Sequence, residues 1–175
     1  YIAINNKKIW TNFLQNFERN IESSWKVHYL LHQILLKHSK RGDKVLEVGC
    51  GPAIDSTFLA LKGRKVYALD NSKYALKVAK KVSKHFGAKI FTIRGDAKKL
   101  PFKKNTFNLV FSSAVLHFFK KNFEIEQVLE EQKRVLKTNG KIIFDVPNLY
   151  SPHTIYKRVL MLLRKWPWGW ETQYS

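Results

Sequence analysis
Five short β-branched and aromatic runs, at 44–49 (KVLEVG), 65–70 (KVYALD), 89–94 (KIFTIR), 107–112 (FNLVFS) and 141–146 (KIIFDV), alternate with helical patterns at about 55–62, 73–86 and 122–137. Strands separated by crossovers align in parallel, because each right-handed connection must pack back on the sheet. The pattern predicts a doubly wound, mostly parallel α/β sheet. Ligands of such sheets bind beyond the carboxyl ends of the strands, where the strand order reverses. Between the third and fourth runs, GDAKKLPFKKNT reads as a loop or a short helical turn. With 175 residues, 45% of them apolar, the chain can bury one core, and a second full domain is not expected.

Two amphipathic patterns precede the sheet. Residues 5–21 put Ile9, Trp10, Phe13, Leu14 and Phe17 on one side, and residues 23–40 put Val27, Leu30, Leu31, Ile34 and Leu35 on one side. KRGD at 40–43 breaks the second pattern. The organisation expected is an N-terminal helical region (1–41), the α/β unit (42–150) and a basic, Trp-rich helical segment (151–175), all in one domain.

The single cysteine, Cys50, forms no internal disulfide and fits a reducing compartment, so a cytoplasmic location is expected. No apolar stretch reaches the roughly 18 to 20 residues that span a bilayer. Nothing at the start resembles a signal peptide, although the chain begins at Tyr1 rather than Met. The six histidines lack H-x-x-H and H-E-x-x-H spacing, so no metal site is expected. The net charge is +19, from 32 basic and 13 acidic residues spread along the chain. Lysines in KVAKKVSKH and KKLPFKKN read as solvated helix faces and loops; an anionic partner, RNA or lipid headgroups, is the alternative.

The first strand breaks at VLEVGCGPAID, where Gly49 and Gly51 let the backbone approach a small ligand, and Asp70 ends the second strand 21 residues after Gly49. A dinucleotide site and an S-adenosylmethionine site both use these parts, the acid accepting the ribose hydroxyls. Three details favour the second. The dinucleotide pattern G-x-G-x-x-G/A requires a small residue where Ile54 stands. Glu47, beside the turn, would repel a pyrophosphate but suits a sulfonium and an ammonium group. Asp96, in RGDA after the third strand, can accept from an adenine amino group, with the main chain at Ala97 close by. Three acids at or near successive strand ends of a +19 chain select for a cationic ligand.

These stretches together resemble the class I S-adenosylmethionine-dependent methyltransferases, closest to the group of small-molecule and quinone methyltransferases. KRGDKVLEVGCGPA is similar to the first motif of that family, VYALDNS to the second, IRGDAKKLPF to the adenine-contacting loop, FNLVFSSAVLHFF to the fourth and RVLKTNGKIIFDVPN to the fifth strand. The resemblance implies a Rossmann-like fold in which Gly49, Cys50 and Gly51 line the methionine part of the donor. It assigns the ribose to Asp70, the adenine to Asp96 and the surroundings of the sulfonium to Ser112 and Ser113, with Asn71 and Ala97 also counted among the donor-binding residues. It also implies that Glu47 faces the donor and that the N-terminal helices, with Trp10, Phe13 and Phe17, cover the substrate. Departures are Ala53 at the third glycine and Asn108 at an acid before the core of strand four. Family members continue into a further helix and an antiparallel hairpin, a hairpin missing from this chain, which ends at Ser175.

Several of these residues also have plain structural readings. Asp55 is expected to cap the following helix, and Ser72 the next one. Cys50 fills the turn, Asp96 can stabilise the turn after Gly95, and the aromatic residues at 10, 13 and 17 can be a core stripe. His117, in AVLHFF, either positions or deprotonates the acceptor or packs beneath the two phenylalanines. Residues 156–170 (YKRVLMLLRKWPWGW) read as a substrate-covering insertion, an interfacial helix for a membrane surface, or a packed helix. The function expected is methyl transfer to a small or lipophilic metabolite. The alternatives are an RNA methyltransferase using the basic surface and a non-catalytic donor-binding subunit that needs a partner.

Overall fold
The computed structural model describes residues 11–12, 14–17, 28–119, 121–145 and Tyr156. Its elements are α1 (Tyr29–Lys37), β1 (Lys44–Val48), α2 (Ile54–Leu61), β2 (Lys65–Asp70), α3 (Lys73–His85), β3 (Ile90–Arg94), β4 (Phe107–Ser112), α4 (Asn122–Val135) and β5 (Leu136–Phe144). All five strands pair in parallel, in the order β3-β2-β1-β4-β5. The chain winds outward from β1 to β3 and then crosses back to β4 on the other side of β1. The order therefore reverses between β1 and β4, and a ligand crevice is expected at their carboxyl ends.

The central strands are covered on both faces, which explains their nearly continuous apolar sequence. On one face Leu46, Val48, Leu69, Phe107 and Val110 pack with Leu100 and with Val135 of α4. On the other, Val45, Val66, Leu109 and Phe111 meet Leu35 of α1 and Leu59 of α2. Ser72 caps α3 as expected, its hydroxyl accepting from Ala75 N, and Lys84 and His85 complement the dipole in the last turn.

Two details depart from the sequence reading. The fifth strand starts earlier than 141: Leu136 pairs with Phe107, the register shifts, and Lys141 then pairs with Leu109. Asn139 takes a left-handed φ of 67° in that irregular stretch. Secondly, α1 exposes Leu30 and Ile34, which the apolar pattern placed inside, and buries His32 with Leu35. The reason is polar, because His32 reaches a buried carboxylate. Asn108, by contrast, has the structural use expected of it: its Oδ1 accepts from Lys44 N and Lys137 Nζ, each at 3.1 Å, tying β1, β4 and β5 together.

Two of the N-terminal residues that are described pack as core. Leu14 and Phe17 are buried against Ile54, Ala75, Val78 and Val82, so Phe17 sits on α3 and not over the crevice. Trp10 and Phe13 lie outside the described residues, as does the 151–175 segment apart from Tyr156, which is exposed. No helix among the described residues is long and apolar enough to cross a membrane.

Candidate functional site
The turn after β1 is held on the end of β2 by backbone bonds. Gly49 N and Cys50 N both donate to Leu69 O, at 2.8 and 2.9 Å, and Gly51 N donates to Asp70 Oδ2 at 2.9 Å. Ser72 N donates to the other oxygen, Oδ1, at 2.8 Å. Burial pushes the Asp70 carboxyl above its ordinary range, an effect only partly offset by the N–H groups of Ser72, Gly51 and Asn71. Gly49 has φ +74°, and a Cβ there would lie 2.5 Å from Val115 Cγ2. Only glycine fits that position. Ala53 also takes a left-handed φ, of 57°, which accounts for the glycine usual at this point in the resembling family.

Beside this turn opens a cleft of about 490 Å³ at the carboxyl ends of β1, β2, β3 and β4. Of the expected donor residues, Gly49, Asp70, Asn71, Asp96, Ala97 and Ser113 line it. Cys50, Gly51, Glu47 and Ser112 do not: Cys50 is buried and its thiol pushed well up by burial, Gly51 works through Asp70, and Ser112 Oγ is buried without a hydrogen-bond partner. Asp96 is exposed and accepts from Lys98 N, so it serves the turn after Gly95 and borders the cleft at once. His117 lies in the short helical turn Leu116–Phe118, and its side chain is outside the described residues; its neighbours Phe118 and Phe119 line the cleft. The apolar wall of Val115, Phe118 and Phe119 was not singled out in the sequence reading, although AVLHFF carried it.

A second polar cluster lies behind the turn. Glu47 is buried, and Ser56 donates to its Oε2 from both Oγ (2.5 Å) and N (3.2 Å). Burial, and then the charge of Asp55, push Glu47 well above the carboxylate range. Asp55 does not cap α2: Ala53 occupies that position, and Asp55 sits in the first turn with its carboxylate turned to α1. His28 Nδ1 is 3.1 Å from both of its oxygens and His32 Nε2 is 2.9 Å from Oδ1. Burial pushes Asp55 up, but the two histidine hydrogen bonds outweigh it and hold the carboxyl below its usual range. His32 is also stacked on Phe58, with ring centroids 3.8 Å apart and planes 3° apart. The signal in the sequence was the pair of histidines four apart in HYLLH, which share one helix face. No group of three or more residues suited to a metal ion occurs among the described residues.

A parallel sheet with this strand order, a glycine turn tied to an acid at the end of β2 and an acid-bordered cleft define a nucleotide-type ligand site of a doubly wound protein. Residues 46–144 match the family described as a methyltransferase domain, and the chain belongs to that class I family, whose members use S-adenosylmethionine. A ubiquinone/menaquinone biosynthesis C-methyltransferase of Blochmanniella floridana is 32% identical over 154 residues, covering 77% of this chain and 59% of the relative. A demethylmenaquinone methyltransferase of Staphylococcus haemolyticus is 34% identical over 143 residues, covering 77% and 57%. The chain thus spans less than two thirds of the length of these relatives. Among solved structures, a protein of Pyrococcus horikoshii superposes with a TM-score of 0.64 at 29% identity, covering 79% of this chain and 61% of the other. An S-adenosylmethionine-dependent methyltransferase of Thermotoga maritima shares the fold, with a TM-score of 0.70 at 20% identity and coverage of 96% and 73%.

Two outcomes follow from this geometry. Gly49→Ala is expected to keep the circular dichroism spectrum of the fold while weakening S-adenosylhomocysteine binding at least tenfold in calorimetry, because the turn must shift away from Val115. Glu47 gains a raised pKa on folding, so its contribution to stability is fully present below the ordinary glutamate value and is lost as pH rises through the raised one. Glu47→Gln, which can still accept from Ser56, is therefore expected to raise Tm relative to the parent by about 2–4 °C at pH 8, the size of about a 1 kcal/mol change. The gain should shrink towards pH 5 in thermal melts.

Proposed function
We propose that this protein binds S-adenosylmethionine in the cleft and transfers its methyl group to a lipophilic ring acceptor of the reduced-quinone class. One observation carries the first half. In a chain of net charge +19, the cleft is bordered by the carboxylates of Asp70 and Asp96, and the one lysine among its lining residues, Lys98, is 3.2 Å from Glu124. Such a lining suits a ligand that carries positive charge and no phosphate. The residues present fit the donor: Asp70 for the ribose hydroxyls, Asp96 and Ala97 for the adenine, and Gly49 and Ser113 for the amino-acid and sulfonium end.

Bound there, the donor supplies a methyl group already activated on a sulfonium. The protein's share is then positioning, worth up to about 7–11 kcal/mol when reacting atoms are held in line. Gly49 sets the approach of the backbone, and Asp145 holds the β4 end by accepting from Ser113 Oγ (3.1 Å) and Ala114 N (2.6 Å). Val115, Phe118 and Phe119 supply an apolar wall that keeps water from the reacting carbon. The functions named for relatives, two of them quinone methylations and others a malonyl-acyl carrier protein O-methylation in Legionella pneumophila and a sterol 24-C-methylation in Saccharomyces cerevisiae, support a lipophilic or carrier-bound acceptor.

The test is release of S-adenosylhomocysteine by the purified chain with three acceptors: a short-tailed demethylmenaquinol, a malonyl thioester and a sterol with a 24-double bond. Turnover with the quinol at least tenfold above the others is expected. Turnover with the thioester or the sterol alone would replace the acceptor class. Donor binding with no turnover on any of them would favour a donor-binding subunit that needs a partner.

A further inference from the structure
We propose that His28 is the group that takes the proton from the methyl acceptor, with Asp55 holding its ring in place; this rests on the methyl-transfer reading above. The inference comes from where α1 puts this side chain. The end of α1 lies at the amino ends of the strands, where Arg64 Nε, just ahead of β2, donates to Ser39 Oγ at 3.1 Å. Its start meets Asp55 in the first turn of α2, which leaves the carboxyl end of β1. His28 therefore stands at the carboxyl-end face of the sheet, on the same face as the donor cleft.

Its two ring nitrogens differ in surroundings. Nδ1 is 3.1 Å from both oxygens of the buried Asp55 carboxylate, whereas Nε2 has no hydrogen-bond partner among the described residues, and the side chain is 37% exposed. A carboxylate acceptor on Nδ1 selects the tautomer with the proton there and leaves the Nε2 lone pair free. An imidazole backed in this way by a buried acid is built to accept a proton from outside. His32 does not share the property, because its Nε2 is the atom bonded to Asp55 and its ring is buried against Phe58.

The neighbouring charges agree. Asp55 from α2 faces Nδ1, His32 lies one turn along α1 with ring centroids 6.3 Å apart, and Asp145, just beyond β5, is near enough for its charge to act on His28. The charge of Asp55 also acts on Glu47 of β1. The hydrogen bond to Asp55 holds His28 above the ordinary histidine value, outweighing burial. Asp145 also anchors Ser113 and Ala114, which line the donor cleft, so the carboxylate whose charge reaches His28 also holds part of the cleft wall.

In the step proposed, the acceptor's nucleophilic atom forms a bond to the methyl carbon and the carbon–sulfur bond breaks with its electron pair going to sulfur. The proton released by the acceptor passes to His28 Nε2, leaving an imidazolium beside ionised Asp55, which solvent then deprotonates. No oxidant or metal is required.

The experiment uses the full chain, labelled with nitrogen-15 at histidine and loaded with S-adenosylhomocysteine, with 1-naphthol as a phenolic probe. His28 is expected to show the Nδ1–H tautomer and a midpoint above 6.5, falling towards 6.5 in Asp55→Asn. The probe is expected to shift its Nε2 resonance and leave that of His32 in place. His28→Gln, which can still bond Asp55, should keep S-adenosylhomocysteine affinity within twofold. It should bind the probe at least tenfold more weakly and lower kcat on short-tailed demethylmenaquinol about a hundredfold. Probe binding that leaves His28 unmoved, unchanged kcat in His28→Gln, or a probe that fails to bind a chain that holds S-adenosylhomocysteine would each overturn the assignment of His28. Failure to hold S-adenosylhomocysteine would instead overturn the methyl-transfer reading itself.

Discussion

The hydrogen bond from Gly51 N to Asp70 Oδ2, with the paired bonds of Gly49 N and Cys50 N to Leu69 O, clips the first turn of the sheet to the end of its neighbour strand. The cleft depends on this clip. It sets where α2 begins, leaves the Asp70 carboxylate at the rim, and brings Gly49 so close to Val115 that a methyl group would collide with it. The sheet beneath exists to hold the clip still: β1 and β2 pair in register from Lys44 and Lys65 onward, and apolar side chains fill both faces.

Behind the turn, the chain manages two buried acids in opposite ways. Glu47 has a serine hydroxyl and one N–H group and is driven towards its neutral form, while Asp55 has two imidazoles and stays ionised. Buried polar groups are stable only when satisfied, and these two are satisfied by different elements. Ser56 belongs to α2 itself, so Glu47 fixes β1 to α2. His28 stands at the N-cap of α1 and His32 within it, so Asp55 fixes the N-terminal region to the donor loop. The N-terminal region is thus joined to the ligand site through one carboxylate as well as through apolar packing.

Much of this was legible in the sequence because periodicity and glycine positions are local. The β2 and β4 runs match their strands at both ends, and the order of elements follows from right-handed crossovers. Asp70 and Asp96 could be placed because strand ends fix where side chains emerge, and Gly49 because a tight turn after the first strand calls for glycine. Partners that depend on packing could not. Glu47 read as a residue facing the ligand, yet Ser56, nine positions on, turns it inward. Asp55 read as a cap, since nothing local shows that two histidines more than twenty residues earlier reach it. The apolar stripe of α1 placed Leu30 and Ile34 inside for the same reason: hydrophobic period alone does not register a buried histidine. Phe17 read either as core stripe or, from the resemblance, as part of a substrate cover, and its packing against α3 is the first of these.

The most direct measurement of the central claim is calorimetric titration of the chain with S-adenosylhomocysteine and with NADH, before and after Asp70→Ala. The account predicts binding of the first ligand only, weakened about 10- to 100-fold by the substitution, as expected for loss of hydrogen bonds to a charged group worth about 1.5–3 kcal/mol. Binding of NADH, or S-adenosylhomocysteine affinity unchanged in folded Asp70→Ala protein, would contradict it.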